Sequence, residues 1–309
     1  MARVKQERKA SPDYRALDLL IDTAPKIRGR SPFWRPAAPD VTGAVYVPGW
    51  QWRRPVTPAD GASLIVLDAN AAYLSAASSV PVAHGRLIHD KIVHPFERGV
   101  PGYWLTDWHE WPALDQIMSP LGGRGRSHTP QGTVWLTTPT MDLLSQLVDQ
   151  GLWPDLEVYD SYTCETPCRL RNWADHVQHD RKMAMEALPG ARDRYEAIKL
   201  GYSMAVTLLG KDETSQVFRP DWGHFIRAQH AASMWRRAWT FNQAYDRGLV
   251  AAGSVDELVF PRESLDSLWR QQSANKVTPL TVDATGVRLG AFHIKGRIDT
   301  GQTPTGGTR

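Results

Sequence analysis

Cysteine is almost absent from this chain of 309 residues, which holds only Cys164 and Cys168. The two sit in "YTCETPCRL", with no second cysteine pair to complete a zinc set and no histidine pair spaced as ligands beside them. Two ordinary thiols in a reducing compartment is the reading that follows. Long apolar runs are missing too: no stretch of about 18 apolar residues occurs, so a helical membrane span is not expected. The N-terminus "MARVKQERKA" is basic but lacks the apolar segment of a secretory signal, and the expected compartment is the cytoplasm. Charge of one sign is also lacking, since 36 Lys+Arg against 33 Asp+Glu leave a net +3. That balance is compatible with a nucleic-acid partner without arguing for one.

What is present is enough apolar sequence, 42% of residues, to bury one large core or two smaller ones. Tryptophan is abundant at 13 residues, and several lie beside arginines, in "WQWRRP" (50–55), "RNWADH" (171–176) and "MWRRAW" (234–239). Such pairs can stack on nucleobases. More commonly the indole packs in a core while the arginine reaches outward.

The stretch "SLIVLDANAAYLSA" (63–76) reads as a buried strand, Leu64 to Leu67, that ends on Asp68, turns tightly and presents Tyr73. Before it, residues 1–60 read as loosely ordered apart from a short helix over 14–24. Residues 76–131 read as loop-rich, and "SPLGGRGRSHTPQG" (119–132) as a mobile loop. Then come a strand over 133–138, a helix over 138–151 opened by a Thr and closed by a Gly, and a strand over 156–164. Two helices, 171–187 and 191–209, form an expected antiparallel hairpin. A long helix over 221–247 stops at Gly248, and 249–260 reads as two short strands with a turn. The tail "GRIDTGQTPTGGTR" is expected to be disordered. Strands interrupted by helices in irregular order give the α+β class.

In "GSVDELVF" (253–260) a second acid, Asp256, lies at a strand turn, with Glu257 next to it. Lys199, on a helix, falls between the two acids in sequence. Two strand-borne carboxylates can hold a pair of divalent cations that bridge a triphosphate and activate an attacking hydroxyl. A helix-borne lysine can neutralise the triphosphate.

In this order of parts the chain resembles the polymerase core of family B DNA polymerases, nearest the small, protein-primed members of phages or mobile elements. The family's first motif is Asp, two variable residues, then Ser-Leu-Tyr-Pro-Ser. "DANAAYLS" keeps Asp68, Tyr73 and Ser75, with Ala71, Ala72 and Leu74 at the other places. The second motif begins with Lys and has Asn-Ser four and five residues on, where this chain has Lys199, Ser203 and Met204. The third is Tyr-Gly-Asp-Thr-Asp-Ser, against which Gly253 and Asp256 align and Ser254 replaces the first acid. The connecting segments 134–162, 171–182 and 219–257 resemble the family's strand–helix–strand, fingers entry and long palm helix, and the resemblance spans about residues 60–297.

The resemblance implies an antiparallel palm sheet with packed helices, a two-helix fingers hairpin and a reduced or absent thumb. The expected boundaries are an extension over 1–60, palm over 61–170, fingers over 171–211, palm again over 212–265 and a vestigial thumb region over 266–309. It implies template-dependent DNA synthesis with Mg²⁺ or Mn²⁺ held by Asp68 and Asp256, and with Lys199 on the triphosphate. Tyr73, Ser203, Arg181 and Lys182 are the further nucleotide-binding residues it implies, and Lys295 touches the primer strand. The partners are a DNA primer–template, deoxynucleoside triphosphates and a priming or replication protein, with no membrane. No paired-acid pattern of a 3′–5′ exonuclease precedes the first strand. Ser254 and the short segment after Phe260 also admit an alternative, a catalytically degenerate polymerase fold that binds DNA or a replication partner as an accessory factor.

Overall fold

The computed structural model describes residues 15–26, 29, 31–33, 38–89, 91–122, 132–186, 191–211, 215–244, 248–253, 256–267, 280–283, 285 and 287–300. Its helices are α1 (Ala16–Thr23), α2 (Ala72–Ser79), α3 (Thr138–Asp149), α4 (Arg171–Glu186), α5 (Ala191–Lys211) and α6 (Pro220–Ala244). The first strands are β1 (Trp52–Arg53), β2 (Ser63–Ala69), β3 (Val82–Ala83), β4 (Ile88–His89), β5 (Gly102–Asp107) and β6 (Thr133–Thr137). The remainder are β7 (Asp160–Thr163), β8 (Pro167–Cys168), β9 (Ala251–Gly253), β10 (Glu257–Pro261) and β11 (Phe292–Asp299). The fold is α+β, with antiparallel sheets of five strands (β1-β9-β10-β2-β11), four (β4-β7-β5-β6) and two (β3-β8).

Strand β2 lies inside the larger sheet, and its sequence suits that place: Ile65, Leu67 and Ala69 are buried on one face and Leu64 on the other. Its register puts Glu257 of β10 opposite Asp68 on one side and His293 of β11 opposite Asp68 on the other. The ladder with β11 shifts between Ile294 and Gly296, so Lys295 falls in a bulge.

Helix α6 is buried around most of its circumference, as a helix enclosed on several sides must be. Trp222, Phe225 and Ile226 in its first half belong to a core shared with α1, α2, α4 and α5. Met234, Trp235, Ala238 and Phe241 in its second half belong to a core under β2, β10 and α3. The Trp–Arg stretches are largely core packing: Trp50, Trp173 and Trp235 are buried, and Arg237 donates to Gly290 O at 2.6 Å. Helices α4 and α5 pack on each other, with α1 against both.

Three expectations change. Helix α2 follows β2 directly, where sequence gave only a turn and loop. Strand β5 runs through the middle of the segment read as loop-rich, pairing with β6 and β7. Strand β11 takes Gly296 to Asp299 out of the tail read as disordered. Most of the expected mobile loop at 119–132, and Ser254, lie outside the described residues.

Candidate functional site

Strand β2 carries Asp68 to the end of the sheet, and the chain then turns sharply into α2. The turn is fixed by backbone bonds: Asn70 N donates to Ala291 O at 2.8 Å and Gly290 N to Asn70 O at 2.9 Å. Ala71 takes a left-handed conformation, φ 46°, which costs an L-residue about 1–2 kcal/mol. Strain of this kind is kept where the surroundings over-determine it. Beyond it the chain enters α2, where the Tyr73 ring lies edge-to-face against His230 of α6 at 5.5 Å.

The turn opens onto a cleft of about 630 Å³. Asp68, Asn70, Tyr73, Asp256 and His293 line it from the sheet side, and Arg192, Tyr195, Lys199, Tyr202 and Ser203 line it from α5. Lys199 and Ser203 are four residues apart, one turn of helix, and so share a face. Of the residues singled out in sequence, then, Asp68, Tyr73, Lys199, Ser203 and Asp256 come together in one cleft.

Asp256 sits where Ala69 N donates to its backbone carbonyl at 3.0 Å. Burial first, then the negative charge of Asp68, push its carboxyl up to about 6. Asp68 itself is flanked by a histidine and a lysine. His293 Nε2 lies 3.7 Å from its Oδ2, and Lys295 Nζ lies 3.7 Å from its Oδ1. The His293 ring is oriented by a 2.7 Å bond from Nδ1 to Asn70 Oδ1. Lys295 also hydrogen-bonds Glu257.

The remaining expected residues lie elsewhere. Arg181 is only 1% exposed and does not line the cleft. It donates to Tyr195 OH at 2.6 Å, Gln178 Oε1 at 3.0 Å and Val287 O at 3.3 Å, with the Tyr195 and Tyr202 rings over its guanidinium. It thereby ties the α4–α5 pair to the segment before β11. Lys182 is on the exposed side of α4, 3.9 Å from Glu186. Lys295 stands at the acids, with half its side chain exposed. Glu257 faces away from Asp256 along the strand, as alternation requires, and this puts it beside Asp68.

Sequence reading missed Arg192, Asn70, His230 and His293. Arg192 carried a usable signal, a cation two turns before Lys199 on the same helix. The others are brought in only by the register of β11 and the packing of α6.

Mg²⁺ or Mn²⁺ fits this donor set in one respect: Asp68 and Asp256 are hard oxygen donors, and burial together with the charge of Asp68 raises the proton affinity of Asp256, a charge imbalance that a divalent cation relieves. Among the described residues no group of three His, Cys, Asp or Glu side chains converges on one point.

The chain has the fold of a DNA polymerase over most of its length. It is similar to the phi29 DNA polymerase in an orthorhombic crystal form, at 14% identity and a TM-score of 0.53, covering 92% of this chain and 52% of that one. It is similar likewise to that polymerase complexed with single-stranded DNA, at 13% identity and a TM-score of 0.57, covering 92% and 51%. With primer-template DNA and incoming nucleotide substrates bound, the same polymerase matches at 12% identity and a TM-score of 0.53, covering 84% and 47%. The chain thus spans about half the length of the structures it matches. No family model and no curated protein sequence matches it.

Proposed function

We propose that the protein is a minimal family B-like DNA polymerase that adds deoxynucleotides to a DNA primer under the direction of a template. The observation that carries this reading is one cleft with two acids on one wall, Asp68 near the end of β2 and Asp256 in the turn just before β10, and Lys199 and Arg192 from α5 on the other. Acids and cations facing each other suit a ligand that is itself a polyanion with cations attached. The polymerases of like fold carry primer-template DNA and incoming nucleotides in their structures, and these are the ligands proposed for this chain. In this reading the five-stranded sheet is the palm and α4 with α5 the fingers.

The reaction is attack by the primer 3′-hydroxyl oxygen on the α-phosphorus of the nucleotide, with the bond to the bridging oxygen of pyrophosphate breaking. Asp68 and Asp256 would hold Mg²⁺ or Mn²⁺, which when bound supplies charge neutralisation and a lowered hydroxyl pKa. Lys199 and Arg192 face the phosphates and offset the charge on the departing pyrophosphate. Tyr73, buttressed by His230, stands beside the nucleotide sugar, and Ser203 lies one helical turn beyond Lys199. A second reading, a degenerate polymerase fold that binds DNA without chemistry, is favoured by Ser254 at the first acid of the third motif and by the contact of Lys295 with Asp68.

Primer extension with Mg²⁺ or Mn²⁺ separates the two. Extension by the unaltered protein, lost in Asp68→Asn and in Asp256→Asn, is the expected result. Primer–template binding with no extension in any of the three establishes the accessory reading, and neither binding nor extension removes both.

A further inference from the structure

Among the described residues, Lys295 is the one lysine whose ammonium group pairs with the acids at the end of β2. Two features put it there. Cross-strand register sets Glu257 directly opposite Asp68, so the two carboxylates share a face of the sheet. On the other flank the bulge between Ile294 and Gly296 frees Lys295 from the ladder and re-aims it, so that Nζ is 3.7 Å from Asp68 Oδ1 and bonded to Glu257 Oε1. Asp256, by contrast, makes no ion pair among the described residues. Charge at the cleft floor is therefore unevenly compensated: Lys295 pairs directly with Asp68 and reaches Asp256 only as a more distant charge.

We propose that Lys295 is a built-in counter-cation of this site, which competes with a divalent cation for Asp68. This rests on the reading of Asp68 as a cation ligand given above. A dication arriving at Asp68 meets a like charge under 4 Å from the oxygen it needs, and it binds only as Lys295 withdraws toward Glu257. Glu257 is the group that keeps the displaced ammonium paired. Lys295 thus sets how tightly the site takes its cation, a role that needs neither DNA nor nucleotide.

The test is Mn²⁺ binding to the full chain alone, read from the electron paramagnetic resonance of free Mn²⁺ at fixed pH and salt. Lys295→Met is expected to bind Mn²⁺ about tenfold more tightly, and Lys295→Arg to stay at the level of the unaltered protein. The gain is expected to vanish when Lys295→Met is combined with Asp68→Asn. Lys295→Gln removes the same charge with a different side chain and should repeat the gain, and circular dichroism confirms that each variant is folded. An unchanged affinity in both Lys295→Met and Lys295→Gln overturns the proposal, as does a gain that survives Asp68→Asn or Mn²⁺ bound by no variant. Primer extension on the same preparations keeps the two conclusions apart. A gain through Asp68 without any extension upholds the counter-cation and removes the polymerase reading, while extension with no gain does the reverse.

Discussion

His224 of α6 is hydrogen-bonded through Nδ1 to the Tyr103 hydroxyl at 3.0 Å, and burial, aided by the charge of Arg227, holds its pKa down to about 4. In the unfolded chain it titrates near 6.5. Between those values the unfolded chain takes a proton that the folded one refuses. The contribution to stability is complete above about pH 6.5 and is lost as pH falls toward 4, by at most about 3 kcal/mol. Urea midpoints at pH 7 and pH 4.5 should therefore draw closer together in His224→Gln than in the unaltered protein; an equal gap in both removes His224 as the cause. Residues of this kind were not legible in the sequence, because nothing local marks His224 as facing Tyr103 across 121 positions. Asp68 was legible for the opposite reason: an apolar run that stops on an acid is a local pattern. The Glu257–Lys295 pairing needed the register of two ladders and the position of a bulge.

At the scale of elements, α3 and α4, each with one apolar face, could be read directly, and α5 and α6 by their length without an internal proline. Helix α2 could not, since AYLSAASS is built of small residues with little apolar contrast and starts from a left-handed alanine without a capping side chain. Strand β5 begins on the glycine of a Pro-Gly, which reads as a turn, and β11 carries exposed charges around a glycine, which resembles a tail. The loop before β11 is fitted to α2 at Gly290, where φ is 67° and a Cβ would come within 2.5 Å of Ser75 Oγ. Gly290→Ala should lower stability by about 1–3 kcal/mol, combining left-handed strain with overpacking, as a drop in thermal midpoint. The same loop is held to the helix pair by Arg181. Arg181→Met should cost about 2–4 kcal/mol, because hydrogen bonds from a buried charged donor are lost. Amide exchange should quicken in α4, α5 and residues 287–293 while β5 to β7 remain protected. Uniform quickening across all of them would deny Arg181 that local role.

For the whole molecule, the likeness to a DNA polymerase rests on shape, with sequence identity of only 12–14%. The order of Asp68, Lys199 and Asp256 along the chain was the readable part, and the fold brings all three to one cleft. Leu67, fully buried in β2, is the test of how much that shape depends on the central strand: Leu67→Ala should cost about 2–5 kcal/mol in denaturant unfolding. Helix α6 carries a consequence for how the protein comes apart. One of its halves completes one core and the other half completes the second, so neither core can melt while leaving the helix intact for the other. Calorimetry should accordingly record a single heat-absorption peak, its van't Hoff enthalpy equal to the enthalpy measured directly.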